Sequence, residues 1–310
     1  MVTPRVLVSR YKTQQTLDRT ERFLQMSFQS LGEMSVNKLD ILGAEDTTLT
    51  SELGITGLSA VNKKHRSLVV TYSGARTLNE TTSTSLQLSG SKQQYPDGRS
   101  FGLVNYDYGS ALWNVDYKPT ARATASLQAL AGKFSVIDNS SLNTSNFGVN
   151  AGLSYLLGDR WRVSVVGGPS QVRSSQRIDH GSSYTVSVAR RAESSTLTTS
   201  LSKVVIPTGG GLMTRSNVVR FDWNKTVNDR LTAVIAGSTT LNNNINPNSS
   251  VSLGSLRYRE FSAGFNWLIT QTLSINFLGS HSWQGQDDSL AKRNYAAFTI
   301  MWNGLDKRLN

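Results

Sequence analysis

The sequence predicts an all-β fold, a transmembrane antiparallel up-and-down β-barrel of about 16 strands, and three patterns carry this prediction. Apolar and polar residues alternate along segments of roughly 10 residues, the length with which a tilted strand crosses a bilayer. Short turns recur near positions 119, 158, 192, 227 and 269, and longer segments rich in Ser, Asn, Gly and Asp separate the hairpins. Aromatic residues gather next to the short turns. Short turns at one end and longer loops at the other are typical of transmembrane barrels.

The composition favours strands over helices as the membrane-crossing elements. The 310 residues are 38% hydrophobic, and their apolar residues are spread singly, whereas a membrane helix needs a run of about 18. The sequence has no Cys, which excludes a disulfide framework, thiol catalysis and Cys-bound metal. The three His residues show no metal-ligand spacing. The net charge is +11, but Lys and Arg occur singly, unlike a nucleic-acid-binding arm. We therefore expect no cofactor, no metal and no nucleic-acid partner.

The chain is divided by its patterning into three parts. Residues 1–18 are weakly patterned, and we expect a periplasmic lead-in or an extra strand there. The N-terminus has no apolar signal-peptide core, so an exported protein would be a mature chain; a cytosolic protein is the alternative. The barrel is predicted over residues 19–302, and residues 303–310 would form a periplasmic C-terminal tail.

The strands are predicted in order from the period-two alternation. Leu24, Met26 and Phe28 share one face of a strand over 20–31. The register over residues 33–61 is not fixed by the pattern, which leaves 14 and 18 strands as alternatives. From residue 62 onward the apolar sets follow regularly, for example Trp113, Val115 and Tyr117; Phe147, Val149 and Ala151; and Phe261, Ala263 and Phe265.

An aromatic belt is predicted at the short-turn end of the barrel. Trp and Tyr prefer the membrane–water interface because their rings are amphipathic. Packing in the core of a soluble β-sandwich is the alternative, but a sandwich would not place these rings at one end of successive strands. Trp302 fits the aromatic that usually ends the last strand of an outer-membrane barrel, although residues 303–310 follow it. We therefore expect short turns on the periplasmic side and localisation in the bacterial outer membrane. The belt residues are Tyr117, Tyr155, Trp161, Trp223, Trp267 and Trp302.

The opposite face of each strand is polar and is predicted to line a water-filled lumen, because about 16 strands are too many for side chains to fill. Hydroxyls and amides dominate this face, with more Arg than acid. The Arg fork suits carboxylates and sugar hydroxyls, and a Tyr ring offers a stacking face to a sugar. The alternatives are that these Arg residues pair with acids and only stiffen the wall, or that a bulge at Gly109-Ser110 turns the tyrosines outward. The candidate lumen residues are Lys118, Arg122, Arg160, Arg162, Arg191, Arg220, Arg230, Arg293, Tyr106 and Tyr108.

Two short motifs contain residue types that can carry chemistry. Thr208-Gly209-Gly210-Gly211 lacks the Lys and the strand-to-helix context of a phosphate loop, and it predicts a flexible outer loop. His180 and Ser182 have the spacing of a nucleophile–base pair on one barrel face, but no acid partner is identifiable. A chance occurrence is favoured, so a barrel hydrolase is the least favoured function and we expect no enzyme.

The C-terminal two thirds contains five segments with a shared barrel pattern, residues 108–122, 189–195, 206–211, 228–232 and 265–270. On these segments it resembles the outer-membrane β-barrel family of exopolysaccharide loci, including those linked to exosortase (PEP-CTERM) systems. The resemblance implies a conduit for a secreted polysaccharide, with outer-membrane lipid around it and with periplasmic and inner-membrane secretion partners. The expected function is therefore export of an exopolysaccharide, of anionic character because the lumen is biased toward Arg. A general or solute-specific porin and a structural barrel of a larger secretion or appendage complex are the alternatives.

Overall fold

The computed structural model describes residues 2–9, 18–48, 62–137, 139–175, 177–244, 256–286 and 289–302. They form one sheet of 16 strands that pair in chain order, each antiparallel to the next. The predicted fold class and the predicted strand number are thereby confirmed. Among these residues no helix is long and apolar enough to cross a membrane. The strands are β1 Val2–Ser9, β2 Arg19–Leu31, β3 Ser35–Thr47, β4 Lys64–Thr77, β5 Thr82–Gln94, β6 Tyr106–Tyr117, β7 Ala123–Val136, β8 Thr144–Leu157, β9 Trp161–Ser174, β10 Ile178–Arg191, β11 Ser195–Pro207, β12 Met213–Asn228, β13 Leu231–Asn244, β14 Leu256–Leu268, β15 Leu273–Gln286 and β16 Ser289–Trp302.

The cross-strand register sorts the side chains into an outer and an inner face. Asn114, Gln128 and Asn150 lie in one row across β6, β7 and β8, so the polar residues of neighbouring strands share the inner face. On the outer face Trp113 and Leu127 are 47% and 49% exposed. A sheet that exposes large apolar side chains along most strands buries them against lipid, because no other element covers them.

The two ends of the sheet differ as predicted in their turns. The connections at residues 32–34, 78–81, 118–122, 158–160, 192–194, 229–230 and 269–272 form the turn end. Side-chain caps stabilise them: the carboxamide oxygen of Asn79 accepts from the backbone N–H of Thr81 and Thr82, and that of Asn228 accepts from Arg230 and Leu231. Gly158 adopts a φ of 64°, a conformation that side chains disfavour, which is why glycine opens that turn.

The other end, the loop end, departs from the expectation of uniformly long loops. The connections after β3, β5 and β13 are long, but those after β9, β11 and β15 are as short as the periplasmic turns. The reason is that the strands continue past the membrane: β12 has 16 residues, whereas about 10 tilted residues span the bilayer. Two 3-10 helices, Arg99–Phe101 and Ser140–Leu142, lie in the connections after β5 and β7.

The first and last strands are the edges of the sheet. Residues 2–9, within the segment expected to be a lead-in or extra strand, form β1 and pair with β2. Within the described residues β1 pairs only with β2 and β16 only with β15, so the sheet is not closed there. An even strand number leaves β1 and β16 antiparallel, the relation that closure of a barrel requires. The predicted tail 303–310 lies outside the described residues.

Candidate functional site: a polar conduit with an occupied loop end

The inner face near the turn end is polar and open to solvent. Arg162, Arg191 and Arg220 are exposed on this face, and Arg220 lies in one row between Ser200 and Ser238. No ion pair is recorded for these three side chains within the described residues. The proposed pairing of Arg220 with acids is therefore not formed, and Asp222 lies two residues further along the same face.

Four of the predicted lumen residues lie at the rim instead of along the wall. Lys118, Arg122, Arg160 and Arg230 are exposed and lie in or beside the short turns, just outside the strand ends. Their backbones tie neighbouring hairpins together, since the carbonyls of Arg122, Arg160 and Arg230 each accept a hydrogen bond from the next hairpin. They place positive charge at the turn end of the sheet.

Arg293 lies on the inner face of β16, further toward the loop end. Its guanidinium carbon is 5.2 Å from the ring centroid of Tyr295, a cation–π distance. In the register Arg293 lies opposite Ser282, which lies opposite Glu260. The hydroxyl of Tyr258 donates to Oε2 of Glu260 at 3.1 Å, so this part of the wall combines a cation, an acid and aromatic rings.

Tyr106 and Tyr108 face inward, so the bulge that would turn them outward is absent from the described β5–β6 and β6–β7 registers. Tyr106 is nevertheless 5% exposed, and its ring lies 4.9 Å from that of Phe134. In this conformation it packs instead of offering an open stacking face. Its neighbours form a buried apolar group, which we call the loop-end cluster: Tyr95, Tyr106, Phe134, Val136, Val172 and Met213.

The loop-end cluster exists because the loop-end parts of β11 and β12 separate from β10, while β12 keeps its pairing with β13 as far as Thr214–Asn244. The pairing of β10 with β11 stops at Tyr184–Lys203, whereas β11 continues to pair with β12 as far as Pro207–Met213. Residues 204–216, the inturned hairpin, therefore separate from β10. Met213 lies in the register row of the outer face, together with Val219 and Trp223, yet it packs on inner-face residues of β6, β7 and β9. Only a bend of the hairpin into the lumen allows both.

Arg215 fastens the inturned hairpin to the wall. Its Nη2 donates to Oδ2 of Asp179 at 2.7 Å, and its Nη1 donates to Oγ of Ser170 at 3.0 Å and to the carbonyl of Ser182 at 3.1 Å. The Arg215 and Asp179 side chains are 11% and 26% exposed. A Cβ at Gly181 would lie 2.2 Å from Nη1 of Arg215, so only glycine leaves room for the guanidinium. We call Arg215 with Asp179 the hairpin latch.

The tip of the inturned hairpin is buried, which corrects the prediction of a flexible outer loop at Thr208–Gly211. Thr208 is 1% exposed, and its Oγ1 donates to the carbonyl of Leu212 at 2.9 Å. Gly211 has a φ of 77°, which explains a glycine there. The backbone N–H of Val104 donates to the carbonyl of Gly209 at 2.9 Å. The tip thus docks on the connection between β5 and β6.

A cluster of polar side chains centred on the buried His65 packs against the other side of Tyr95. Nδ1 of His65 lies 2.6 Å from Oδ1 of Asp46, and Nε2 lies 2.7 Å from Oε1 of Gln93. The His65 ring is 4.9 Å from that of Tyr95. The two ring nitrogens of His65 thus contact a carboxylate and a carboxamide. Loop-end packing therefore runs along the inner face from β3 to β10.

The sequence-predicted belt lies at the turn end of the outer face. Tyr117, Tyr155, Trp161 and Trp267 are 52%, 43%, 40% and 48% exposed, and Trp223 is half-buried in the same position on β12. Trp302 lies opposite Leu273 at the end of β16 by its backbone pairing.

His180 and Ser182 share the outer face of β10. Both lie in the outer-face register row of β10, with Tyr184 and Val186, and both are exposed. In the described part of the chain no group of His, Cys, Asp and Glu could hold a metal ion.

Solved structures with this architecture are outer-membrane proteins. The copper transporter OprC is 10% identical and matches 92% of this chain and 56% of its own, with a TM-score of 0.51. The FrpB iron transporter from Neisseria meningitidis (F5-1 variant, apoprotein) is 9% identical over 87% of this chain and 52% of its own, also at 0.51. The CymD monoaromatic hydrocarbon channel matches 97% of this chain and 85% of its own at 10% identity, but its TM-score of 0.44 is too low to support an argument.

The chain spans about half the length of OprC and FrpB. No protein-family model matches it, and no curated protein matches it. At such low identities the likeness shows the fold, which is that of a bacterial outer-membrane β-barrel. The apolar outer face is the surface that this fold presents to lipid, and the location of the protein is the bacterial outer membrane.

The residues that sequence reasoning missed are those of the hairpin latch and the inturned hairpin. Arg215 and Met213 have the parity of lipid-facing residues, so the alternation assigns them to the wrong surface. Gly181 lies against the Arg215 guanidinium, but strand glycines such as Gly109 have nothing within 4 Å, so a glycine in a strand does not by itself predict this contact.

Proposed function

We propose that this protein is a gated outer-membrane channel that exports an exopolysaccharide of anionic character. One observation carries the proposal: the inner wall is polar and bears exposed Arg side chains near the turn end, for which the described residues show no ion pair, while the loop end is covered by a hairpin. That hairpin is held by the Arg215–Asp179 ion pair, by apolar packing and by the pairing of β12 with β13. A wall that only stiffens a scaffold has no use for exposed Arg162, Arg191 and Arg220.

The wall has the chemistry that a polysaccharide chain needs in transit. Hydroxyl rows such as Ser154 with Ser164 and Ser187 with Ser200 exchange hydrogen bonds readily with sugar hydroxyls. The basic rim of Lys118, Arg122, Arg160 and Arg230 would raise the local concentration of an anionic polymer at the periplasmic entrance. A periplasmic partner or an inner-membrane synthase would deliver the chain there.

The inturned hairpin must move before a polymer can leave. The bond between the Val104 N–H and the Gly209 carbonyl brings these residues to within the Cα separation that a disulfide bridges. The sequence contains no Cys, so a Val104→Cys/Gly209→Cys variant has no competing thiol. We expect the oxidised variant to conduct poorly in a planar bilayer and the reduced one to regain wild-type conductance, with the Gly209→Cys single variant as control.

Cargo preference is tested by blocking the current. An anionic uronic-acid oligosaccharide added on the turn side should interrupt the current of the reduced channel reversibly, and a neutral glucose oligomer of equal length should do so far less. Equal effects of both oligomers would exclude the anionic cargo. Free conduction of small solutes without block, together with unchanged polymer secretion after gene deletion, would favour the porin alternative instead.

A further inference from the structure

The outer face carries a band of basic side chains just above its apolar rows at the loop end. On β4 the apolar series of Tyr72, Val70 and Leu68 ends in Arg66, and on β7 that of Leu127, Ala129 and Ala131 ends in Lys133. Nearly all members are exposed, and Lys203 is half-buried. We call this set the basic ring: Arg22, Lys64, Arg66, Lys92, Lys133, Arg173, Lys203, Arg257, Arg259 and Lys292.

The ring is asymmetric between the two ends of the barrel. At the turn end the outer-face positions of the strands hold Arg76, Arg190 and Lys225. Acids on the outer face near the ring are Glu45 and Asp107, and Glu45 contacts Lys64 and Arg66 at 3.0 Å each. A large share of the net charge of +11 therefore lies in one band on the outer face, where the loop end leaves the membrane.

Two rows of the ring place basic side chains on either side of a third residue. Lys133, Ser145 and Arg173 lie in one row across β7, β8 and β9. Because adjacent strands are about 4.8 Å apart, the two cations flank the Ser145 hydroxyl across about 10 Å. Arg259 and Lys292 flank Trp283 in the same way across β14, β15 and β16. Within the described residues no acid is recorded against Lys133 or Arg173.

Barrel stability does not explain such a band. A charge on the lipid face is costly at the bilayer midplane and nearly neutral at the interface, so the position is tolerated, but like charges in one band repel one another unless an anion is present. Arg and Lys above an apolar surface match an amphiphile with a phosphate group above acyl chains, and the Arg fork pairs with phosphate in bidentate fashion.

We infer that the basic ring binds the phosphorylated glycolipid of the outer leaflet, lipopolysaccharide, through its lipid A phosphates, with Lys133, Ser145 and Arg173 as one binding row. The position of the ring selects this lipid, since the ring lies on the outer face at the loop end and therefore faces the outer leaflet. Among the described basic residues of the turn end, Arg76, Arg190 and Lys225 lie on the outer face of the strands, and the others lie in or beside the turns or on the inner face. The inference stands apart from the proposed cargo, because it concerns the outer face alone.

Native mass spectrometry of the purified full chain in detergent provides the test. Bisphosphorylated lipid A should bind to the wild type well above dephosphorylated lipid A and phosphatidylglycerol. A Lys133→Gln/Arg173→Gln variant should bind bisphosphorylated lipid A roughly thirtyfold more weakly, since each basic side chain near an anionic surface contributes about 1 kcal/mol. The matched control Arg76→Gln/Lys225→Gln removes the same charge from the turn end and should bind as the wild type does.

Three results would overturn the inference. Equal weakening in both double variants would mean that net charge and not the ring binds the lipid. Equal wild-type binding of dephosphorylated lipid A would show that the phosphates are not recognised. Equal binding of phosphatidylglycerol would show that the ring is a cationic surface for any anionic lipid. The last two comparisons use the wild type alone, so they decide the matter even if a variant fails to assemble.

Discussion

Replacing Arg215 with Met should loosen the inturned hairpin from β9 and β10, because this side chain makes the polar contacts that hold it there, while β12 stays paired with β13. Three hydrogen bonds at 2.7 to 3.1 Å are lost. A bond to a charged group contributes about 1.5–3 kcal/mol, but Asp179 is 26% exposed and regains water when freed. We therefore expect the closed state to lose about 2–3 kcal/mol in all, which multiplies the open-to-closed ratio by roughly 30 to 150.

The assay is single-channel recording in a planar bilayer, with the fraction of open time as the readout. Arg215→Met should raise it strongly, and Asp179→Asn should raise it less, because the carbonyl of Ser182 and the hydroxyl of Ser170 still accept from Arg215. The double variant should resemble Arg215→Met, so the two changes should not add. Arg76→Met is the matched control at the turn end. Open times in Arg215→Met equal to those of the wild type would refute the latch.

Four further predictions follow from the same geometry. Gly181→Ala should mimic Arg215→Met in open time, because its methyl occupies the guanidinium site at 2.2 Å, whereas Gly109→Ala, which has nothing within 4 Å, should not. Arg162→Gln/Arg220→Gln should lower the anion preference in reversal-potential measurements, and Arg190→Gln on the outer face should leave it unchanged. Phe134→Ala removes a fully buried ring and should destabilise the loop-end packing by about 3–5 kcal/mol, seen as faster proteolysis at Arg215, while lipid-facing Phe147→Ala should not accelerate cleavage there. His180→Ala and Ser182→Ala should leave conductance unchanged, since both side chains lie on the outer face.

An approximate strand number and the facing of the strands after residue 62 could be predicted because a β-strand has a period of two. The facing of β3, Ser35–Thr47, could not, because apolar residues occur on both of its faces. Once Trp113 is assigned to lipid, Asn114 must face the lumen, and the register then carries that assignment to Gln128 and Asn150 without further information. The same rule placed Tyr106 and Tyr108 on the inner face. It could not show that Tyr106 is covered, because burial by another hairpin is a tertiary property.

The alternation of side chains gives the wrong environment where a hairpin bends. The odd or even position of a residue tells which side of the strand it lies on, but not whether that side meets lipid, water or protein. Val205 and Met213 continue the outer-face rows past Lys203 and Asn217, where the apolar band has already ended. An apolar residue beyond the membrane boundary needs a second protein surface, since water and lipid headgroups offer it none. β12, with 16 residues, extends far enough to reach one, and the inner wall supplies it. A long strand whose outer face becomes polar and then apolar again therefore predicts an inturned hairpin. In this chain the second apolar stretch lies only a few residues from the glycines of the buried tip.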